Sequence, residues 1–331
     1  MIDEYGRGID YIRISVTDRC NLRCVYCMPK EGVDFLPHSK ILTYEEIIRL
    51  CKCFAALGIR KVKITGGEPL VRKDLPYLIK QIKEIPGIEN VTITTNGILL
   101  AEQIEDLVNA GVDSINISLD TLDREQFRAV TRFDLLDKVV AGLKEALKYP
   151  DLTVKINCVP IRHKNEEEAV LSMVALAKDT NVHIRFIELM PIGLGKELSG
   201  YTEDSIMNMI EQRYGKLTLY RKTLGNGPCS YYSLEGFQGK IGFISAMSHK
   251  FCDTCNRVRL TSDGCLKNCL QYSVGTDLKQ RMEQGISDEE LREVIQSSIM
   301  KKPKAHQFGE IEDSDNNEVT LEERKMSQIG G

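Results

Sequence analysis

The chain has 331 residues, of which 42% are apolar, a formal net charge of −4 and eleven cysteines. This size predicts one large or two smaller globular domains, and the slightly negative charge argues against binding nucleic acid by general attraction to phosphates. No apolar run approaches the roughly 20 residues needed to cross a membrane, and residues 1–7 lack the layout of a signal peptide. We therefore expect a cytoplasmic protein, in which eleven cysteines are too many to be disulfides.

Apolar periodicity predicts strands that alternate with helices over the first 190 residues. The predicted strands are 9–16, 59–65, 91–95, 112–119, 152–159 and 182–189, and the predicted helices are 44–57, 74–84, 101–109, 134–148 and 166–178. Alternation of this kind indicates parallel strands covered by helices. Six units favour an α/β fold built as an open, partial (β/α)6 TIM-like barrel, in which ligands bind at the carboxyl ends of the strands.

The pattern changes after residue 190. It predicts a helix at 203–213, short strands at 217–222, 230–234 and 240–245, and a last helix at 288–299. We expect a domain boundary near residue 220, with a barrel at 1–220 and a smaller C-terminal domain at 221–331. That second domain ends in a charged tail that closes with Gly330-Gly331.

Three cysteines, Cys20, Cys24 and Cys27, follow the first predicted strand with the spacing C-x3-C-x2-C. Thiolates are the ligands of iron–sulfur clusters, and three of them leave one iron of a [4Fe–4S] cube open to a small molecule. Structural zinc needs four ligands, and no fourth cysteine or histidine occurs before His38. The competing interpretation is a structural metal knuckle.

The ends of the later strands also carry polar or glycine-rich sequences. Gly66-Gly67-Glu68-Pro69 follows the second strand; its glycines allow close approach of backbone to a ligand, and Glu68 could accept hydrogen bonds from an ammonium group. Ser118 ends the fourth strand and Met190 follows the sixth. One such feature is more often a turn or a cap, but their recurrence at successive strand ends favours a ligand site.

The cysteine spacing, the aromatic Tyr26 before the third cysteine and the Gly-Gly-Glu-Pro loop resemble the radical S-adenosylmethionine (SAM) superfamily. This resemblance implies that the open iron chelates SAM and that the reduced cluster cleaves SAM to a 5′-deoxyadenosyl radical. It assigns SAM binding to Tyr26, Gly67, Ser118 and Met190.

A second cysteine group lies near the C-terminus. Cys252, Cys255 and Cys269 have the spacing C-x2-C-x13-C, and Cys265 adds a fourth thiol. Four cysteines with this spacing could form a zinc site, and three could hold a second [4Fe–4S] cluster. The spacing alone leaves both possibilities open.

Both cysteine groups together resemble the GTP 3′,8-cyclase (MoaA) family of molybdenum cofactor biosynthesis. The matching segments are Tyr11-Ile12-Arg13-Ile14-Ser15-Val16-Thr17-Asp18-Arg19-Cys20, Cys27-Met28-Pro29, Ile64-Thr65-Gly66-Gly67-Glu68-Pro69-Leu70, Arg185-Phe186-Ile187-Glu188, the FCxxCNRxRL pattern at 251–260 and the terminal Gly330-Gly331. The resemblance implies a second [4Fe–4S] cluster on Cys252, Cys255 and Cys269, with its free iron at the purine of the substrate and Cys265 not a ligand.

The implied reaction converts GTP to (8S)-3′,8-cyclo-7,8-dihydroguanosine 5′-triphosphate, which makes the chain a lyase. The radical takes the C3′ hydrogen of GTP, the C3′ radical attacks C8, and reduction then gives the product. No catalytic side chain is assigned beyond the clusters. The implied partners are a reducing electron donor and a downstream cyclic pyranopterin monophosphate synthase, and we expect a monomer or homodimer. The Gly330-Gly331 tail is implied to reach toward the active site.

No P-loop is present, because none of the Gly-Lys pairs, at Lys196, Lys216 and Lys240, is followed by Ser or Thr. Separate basic residues must then hold the triphosphate. Arg257 and Arg259, two apart in an extended segment, point the same way and offer planar forks to phosphate. The resemblance assigns GTP binding to Arg13, Lys61, Lys63, Thr94, Lys155, Arg185, Arg257, Val258 and Arg259; the family usually has Arg at position 63.

Two other functions fit parts of the pattern. One is a different radical SAM enzyme with an auxiliary cluster, such as a peptide-maturing enzyme. The other is a zinc or iron–sulfur binding module without enzymatic activity, which would carry zinc in the C-terminal site.

Overall fold

The computed structural model describes residues 1–164, 166–308 and 321–330. Twelve strands are found in this part of the chain: β1 (Tyr11–Ser15), β2 (Lys61–Thr65), β3 (Asn90–Thr95), β4 (Ser114–Ser118), β5 (Thr153–Cys158), β6 (His183–Ile187), β7 (Thr218–Tyr220), β8 (Ser230–Ser233), β9 (Ile241–Ile244), β10 (Arg257–Leu260), β11 (Cys265–Lys267) and β12 (Gly275–Asp277). The six strands predicted for the barrel are confirmed; five are somewhat shorter than their apolar patterns, and β3 begins one residue earlier than predicted.

Ten α-helices accompany these strands in the described ranges: α1 (Tyr44–Ala56), α2 (Leu75–Lys83), α3 (Leu100–Asn109), α4 (Arg124–Thr131), α5 (Leu136–Ala146), α6 (Glu167–Asp179), α7 (Glu203–Tyr214), α8 (Leu278–Glu283), α9 (Asp288–Met300) and α10 (Met326–Ile329). Helix α1 begins with a capping box, since Thr43 and Glu46 each bind the other's backbone N–H through a side-chain oxygen. No helix in the described residues is long and apolar enough to span a bilayer.

All twelve strands join one sheet in the order β12-β11-β10-β1-β2-β3-β4-β5-β6-β9-β8-β7. The eight strands from β10 to β9 in this order are mutually parallel, and β11, β12, β8 and β7 are antiparallel additions at the two ends. The partial barrel of six units is therefore extended on both edges by strands from the C-terminal third of the chain.

The strands β10, β11 and β12 and the helices α4, α8 and α10 were not predicted from the sequence. Strand β10 lies inside the second cysteine motif. Its Arg-Val-Arg-Leu sequence was interpreted as an extended segment that binds substrate, and its pairing in the sheet was not predicted. Helix α4 is only eight residues long and mostly polar, and few of its residues are apolar. Its apolar periodicity was therefore too weak to predict a helix.

The barrel strands alternate in a way that places polar side chains inside. On β2, Val62 and Ile64 are fully buried against the helix layer, whereas Lys63 and Thr65 line the concave interior. The same alternation places Arg13 of β1 and Lys155 of β5 inside. The apolar core thus lies between the sheet and its helices, and the interior of the barrel is polar.

We expect the change Phe54→Ala in α1 to destabilise the protein by about 3–5 kcal/mol, because this fully buried ring would leave a cavity between helix and sheet. The matched change Leu219→Ala, at a side chain 54% exposed on β7, should alter stability by less than about 0.5 kcal/mol. Urea unfolding followed by circular dichroism measures both. Equal effects of the two changes would contradict this placement of the core.

Candidate active site

A single cavity of about 680 Å³ occupies the interior of the barrel. It extends from the carboxyl ends of the strands to the loop at residues 223–229, and both cysteine groups line it. The predicted site residues among its lining are Cys20, Cys24, Cys27, Cys252, Cys255, Cys269, Tyr26, Gly67, Ser118, Met190, Arg13, Lys63, Thr94, Lys155, Arg185, Arg257 and Arg259. Two residue groups far apart in sequence therefore face one volume.

The first cysteine loop is attached to the glycine loop that follows β2. Gly67 N donates to Thr17 O at 2.7 Å and Glu68 N donates to Arg19 O at 2.8 Å. A Cβ atom on Gly67 would lie 2.3 Å from Arg19 O, which no side chain tolerates. Position 67 therefore requires glycine, because the backbone of the cysteine loop approaches it too closely for any side chain. Gly67 also lies on the cavity wall.

The other side of the cysteine loop is held by the end of α4. Arg132, which has a left-handed φ of +66°, donates through Nη1 to Arg23 O at 3.0 Å and to Met28 O at 2.8 Å. Val25 N donates to Val130 O at 2.9 Å. Because α4 was not predicted, sequence reasoning missed this support of the first cysteine group.

The surroundings of the thiols of Cys20, Cys24 and Cys27 disfavour their thiolate forms when no metal is bound. Burial raises the pKa of Cys20 to about 11 and that of Cys27 to about 12, and burial with its thiol neighbours raises the pKa of Cys24. Metal binding at these thiols must therefore release protons. Three protonatable thiols facing an open volume fit a cluster with one free iron.

Glu68 is almost fully buried and accepts three hydrogen bonds. Its Oε1 accepts from Leu70 N at 3.0 Å and Thr95 Oγ1 at 2.7 Å, and its Oε2 accepts from Asn96 N at 2.6 Å. Burial raises its pKa to about 7. From the sequence, Glu68 was expected to accept hydrogen bonds from an ammonium group of a ligand. In the structure its carboxylate already accepts hydrogen bonds that join the loops after β2 and β3.

Tyr26 reaches across the cavity wall to the loop after β4. Its hydroxyl donates to Asp120 Oδ2 at 2.9 Å, and Asp120 Oδ1 accepts from Val159 N at 2.8 Å. Burial raises the pKa of Asp120 to about 6. Sequence reasoning gave Asp120 no role of its own, although its position two residues after Ser118 at a strand end is a signal that could have identified it.

In the second cysteine group, Cys252 begins a short 3₁₀ helix, Cys255 follows that helix just before β10, and Cys269 lies two residues after β11. Cys252 Sγ accepts from His306 N at 3.4 Å, and Arg257 Nη2 donates to Cys255 Sγ at 3.8 Å. Burial alone would raise the pKa of Cys255, but the charges of Arg257 and Lys302 outweigh it and bring the pKa to about 7. The thiolate of Cys255, the form that binds metal, is therefore more populated at neutral pH than that of an ordinary cysteine.

Cys265 is placed differently from its three neighbours. It begins β11, opposite Asp277 of β12, and its Sγ packs so closely on Gly275 that a Cβ there would lie 2.4 Å away. No three His, Cys, Asp or Glu side chains of the described residues are grouped for a single metal ion. The cavity lining holds Cys252, Cys255 and Cys269, which fits a cluster on three thiolates.

A row of cations crosses the cavity wall. Arg259 of β10, Arg13 of β1 and Lys63 of β2 occupy matching positions in the parallel register, so neighbours in the row are about 4.8 Å apart at the backbone. Lys155 and Arg185 lie on β5 and β6, and Arg185 Nη2 donates at 2.5 Å to both Asn116 Oδ1 and Asn157 Oδ1.

Burial and neighbouring positive charge lower the pKa values of several of these cations. Burial, followed by Arg185, Arg13 and Lys155, lowers the pKa of Lys63, and burial followed by Arg185 lowers that of Lys155 to about 7. Burial, followed by Arg13 and Arg257, lowers the pKa of Arg259 to about 9. Positive charge concentrated in this way is stabilised by a polyanion, for which Thr94 Oγ1, buried without a partner among the described residues, offers a further hydrogen bond.

Two predicted substrate residues, Lys61 and Val258, fall outside the described lining of the cavity. Lys61 begins β2 and pairs with Asp10 Oδ2 at 2.7 Å, on the amino-terminal side of the sheet. Val258 is fully buried in the apolar core because it alternates with Arg257 and Arg259 along β10. Its side chain therefore faces away from a ligand, and its backbone alone remains available.

The loop at residues 223–229 closes the amino-terminal side of the cavity. Asn226 Nδ2 donates to Asn90 Oδ1 at 2.6 Å, and Asn226 O accepts from Asn256 Nδ2 at 3.2 Å. This loop contains Gly225-Asn226-Gly227-Pro228, and the sequence analysis assigned no function to it. Its Gly-Asn-Gly-Pro composition marks a turn but contains no sign of the surface it covers.

The C-terminal segment returns to the cavity. Met326 of α10 lines it, Gly330 O accepts from Arg259 Nη1 at 2.8 Å, and a Cβ on Gly330 would lie 2.9 Å from the Ser15 side chain. The segment is anchored by the ion pair between Glu322 and Lys267 of β11, both almost fully buried. Gly331 lies outside the described residues.

Comparison with known proteins gives two family matches. The chain matches the Radical SAM superfamily over residues 14–174 and Molybdenum Cofactor Synthesis C over residues 182–308. A Clostridium perfringens (strain 13 / Type A) protein named GTP 3',8-cyclase is 47% identical over 331 residues, 100% of each chain. The Caenorhabditis elegans molybdenum cofactor biosynthesis protein moc-5 is 45% identical over 309 residues, 92% of this chain and 51% of that protein.

Among solved structures, the crystal structure of Streptococcus suis SuiB bound to precursor peptide SuiA matches with a TM-score of 0.59 and 17% identity. The match covers 80% of this chain and 60% of that chain. At this identity the likeness concerns the fold, and it agrees with the partial barrel described above.

We expect the affinity for inorganic tripolyphosphate to fall as pH rises above about 7, by up to about tenfold per pH unit. The pKa of Lys155 is lowered to about 7, so above that pH a proton must be taken up before this lysine can bind an anion. Isothermal titration calorimetry in two buffers of different ionisation enthalpy measures the affinity and the uptake together.

The change Lys155→Arg is the matched control, because a guanidinium remains charged over this pH range. The affinity of this variant for tripolyphosphate should depend less on pH than that of the wild-type protein. Any pH dependence that remains should be the part due to titration of the ligand itself. Identical pH profiles for the two proteins would contradict a role for Lys155 in anion binding.

Proposed function

The chain belongs to the GTP 3′,8-cyclase family, which makes it an enzyme of radical SAM chemistry in molybdenum cofactor biosynthesis, and we propose that it converts GTP to (8S)-3′,8-cyclo-7,8-dihydroguanosine 5′-triphosphate. The observation that carries this proposal is that one cavity is lined by two three-cysteine groups and by a row of buried cations. Such a cavity suits a polyanionic substrate bound beside two cofactors.

Two [4Fe–4S] clusters and SAM supply the radical chemistry when bound, and the first cluster would be held by Cys20, Cys24 and Cys27. The residues proposed to hold SAM are Tyr26, Gly67, Ser118 and Met190. Gly67 lies on the cavity wall, and the hydrogen bond from Tyr26 to Asp120 joins the cysteine loop to the loop after β4.

The triphosphate of GTP is proposed to lie along the cations of the barrel interior. Arg13, Arg185 and Arg259 offer forks that bind phosphate oxygens in pairs, whereas Lys63 and Lys155 offer point charges. Asn116 and Asn157 hold the fork of Arg185 in place. The remaining members of the proposed set are Thr94, Arg257, Lys61 near the amino-terminal side and the backbone of Val258.

The purine is proposed to face the second cluster, on Cys252, Cys255 and Cys269. In this arrangement C3′ of the ribose would give its hydrogen atom to the 5′-deoxyadenosyl radical, forming 5′-deoxyadenosine, and would then form a bond to C8 of the base. One electron from the reducing partner and one proton would complete the dihydropurine. The protein's contribution to this step is to hold the ribose and the base at bonding distance.

The rival radical SAM function, maturation of a peptide, is less well supported. A peptide substrate gives no reason for cations whose pKa values are lowered by burial and neighbouring positive charge, whereas a triphosphate does. The non-enzymatic metal module is likewise opposed by the family membership of the full chain.

The proposed partners are a reducing electron donor and a cyclic pyranopterin monophosphate synthase that takes the product, and the protein would act as a monomer or homodimer. A cytoplasmic location is proposed because none of the eleven cysteines, all of them within the described residues, forms a disulfide, as is usual in a reducing compartment.

Iron and sulfide analysis after anaerobic purification tests the cofactor assignment. We expect about eight irons per chain, falling to about four in each of the variants Cys20→Ala and Cys252→Ala, because each cube needs its thiolates. Incubation of the wild-type protein with GTP, SAM and a reductant should yield 5′-deoxyadenosine and the cyclised nucleotide, identified by mass spectrometry.

The variant Cys265→Ala is the matched control and should keep both clusters, because this thiol packs on Gly275. About four irons and one zinc per wild-type chain, with the zinc lost on changing Cys265, would instead indicate a structural site and refute the proposed second cluster.

Removal of Gly330 and Gly331 should reduce turnover of GTP while leaving the unfolding temperature and the iron content near wild-type values. Gly330 O accepts a hydrogen bond from Arg259, so the truncation frees a fork proposed to bind phosphate. The reaction rate and the melting temperature are measured on the same preparation. Unchanged turnover would show that the tail has no part in the site.

A further inference from the structure

The first seven residues of the chain form a tight turn around a buried ion pair. Arg7 Nε donates to Asp3 Oδ2 at 2.6 Å, and the N–H groups of Tyr5 and Arg7 donate to Asp3 Oδ1 at 3.0 and 2.9 Å. The two charged side chains are 0% and 4% exposed. Gly6, with a φ of +77°, allows the chain to close this turn.

The rest of the Arg7 guanidinium binds backbone from the C-terminal region. Nη1 donates to Cys252 O at 3.0 Å and to Lys304 O at 2.8 Å, and Nη2 donates to Pro303 O at 2.8 Å. Cys252 is the first thiol of the second cysteine group. One side chain therefore joins the loop that carries this thiol to the segment that covers it.

That covering segment contacts the second cysteine group directly. His306 N donates to Cys252 Sγ at 3.4 Å. Lys302 Nζ donates to Arg257 O at 2.8 Å and also to Asn268 O, which is the residue before Cys269. Arg7 and Lys302 thus connect backbone beside each of the three cysteines that line the cavity.

We propose that Arg7, oriented by Asp3, is a positioning residue for the second cluster: it holds the Cys252 loop where three-thiolate ligation requires it. This inference rests on the proposed second [4Fe–4S] cluster. An arginine is needed because its planar fork can bind a carboxylate and three carbonyls at once, whereas a lysine at this position could keep the ion pair but not the other three contacts.

The variant Arg7→Lys in the full-length, anaerobically purified protein tests the proposal. We expect iron to fall from about eight toward about four per chain, as in Cys252→Ala. Cleavage of SAM in the absence of GTP, which depends on the first cluster, should stay near the wild-type rate, and so should the melting temperature. The remaining second cluster should lose its iron to a chelator faster than in the wild-type protein.

Arg49→Lys is the matched control. Arg49 makes the same kind of contact, donating through Nε to Asp288 at 2.7 Å and through Nη2 to Ile286 O at 2.5 Å, but joins α1 to the start of α9 at the protein surface. This variant should keep both clusters and the wild-type rate of iron release. A second variant, Asp3→Asn, keeps the charge of Arg7 and removes its orientation, and it should weaken the second cluster selectively.

Full iron content and a wild-type rate of iron release in Arg7→Lys and Asp3→Asn would overturn the proposal. Parallel loss of both clusters with a lowered melting temperature would also overturn it, because the ion pair would then serve the stability of the whole fold. A wild-type protein with only about four irons would refute the second cluster itself, and this inference would fail with it. If the wild-type protein holds about eight irons per chain, the proposed second cluster stands, and a negative result with the variants then counts against this inference alone.

Discussion

Repulsion between buried cations is the constraint on which the interior of this protein depends. Arg13, Lys63 and Arg259 stand side by side because parallel strands bring matching register positions together, and strand alternation turns all three inward. The surrounding sheet must hold these side chains in place although burial and mutual repulsion oppose their charge. A bound polyanion would offset that cost, so the proposed binding of a triphosphate relies on the charges of the barrel interior rather than on a phosphate-binding loop.

The sheet also explains how two cysteine groups more than 200 residues apart come to share one cavity. Strand β10 starts two residues after Cys255 and pairs with β1, which leads into the first cysteine loop. Strand β9 pairs with β6 at the opposite edge. The C-terminal third of the chain therefore supplies the outer parallel strand at each edge of the barrel, and the chemistry of both groups is set by the register of one sheet.

Much of this could be predicted from the sequence, and the exceptions have physical reasons. The six alternating strands and the cavity residues on them follow from periodicity and from the motifs at the strand ends. The pairing of β10 with β1 depends on contacts between distant segments, which no local pattern encodes, and the helix α4 is too short and polar to be recognised. Lys61 and Val258 were placed in the substrate set by resemblance. In the structure Lys61 forms an ion pair with Asp10, and Val258 lies in the apolar core. These surroundings depend on how far along its strand a residue lies and on the face of the sheet to which its side chain points.

The pairing of β1 with β10 has a consequence for the order in which this protein is made. Synthesis proceeds from the N-terminus, and domains generally fold as they emerge, but β1 keeps an open hydrogen-bonding edge until residues 257–260 have been added. An unpaired parallel edge is a hazard for association with other chains. The turn of residues 1–7, whose partners are at 252 and 302–304, likewise waits for almost the whole chain. The edge of the barrel at β1 and the turn at residues 1–7 can therefore be completed only after most of the chain has been synthesised.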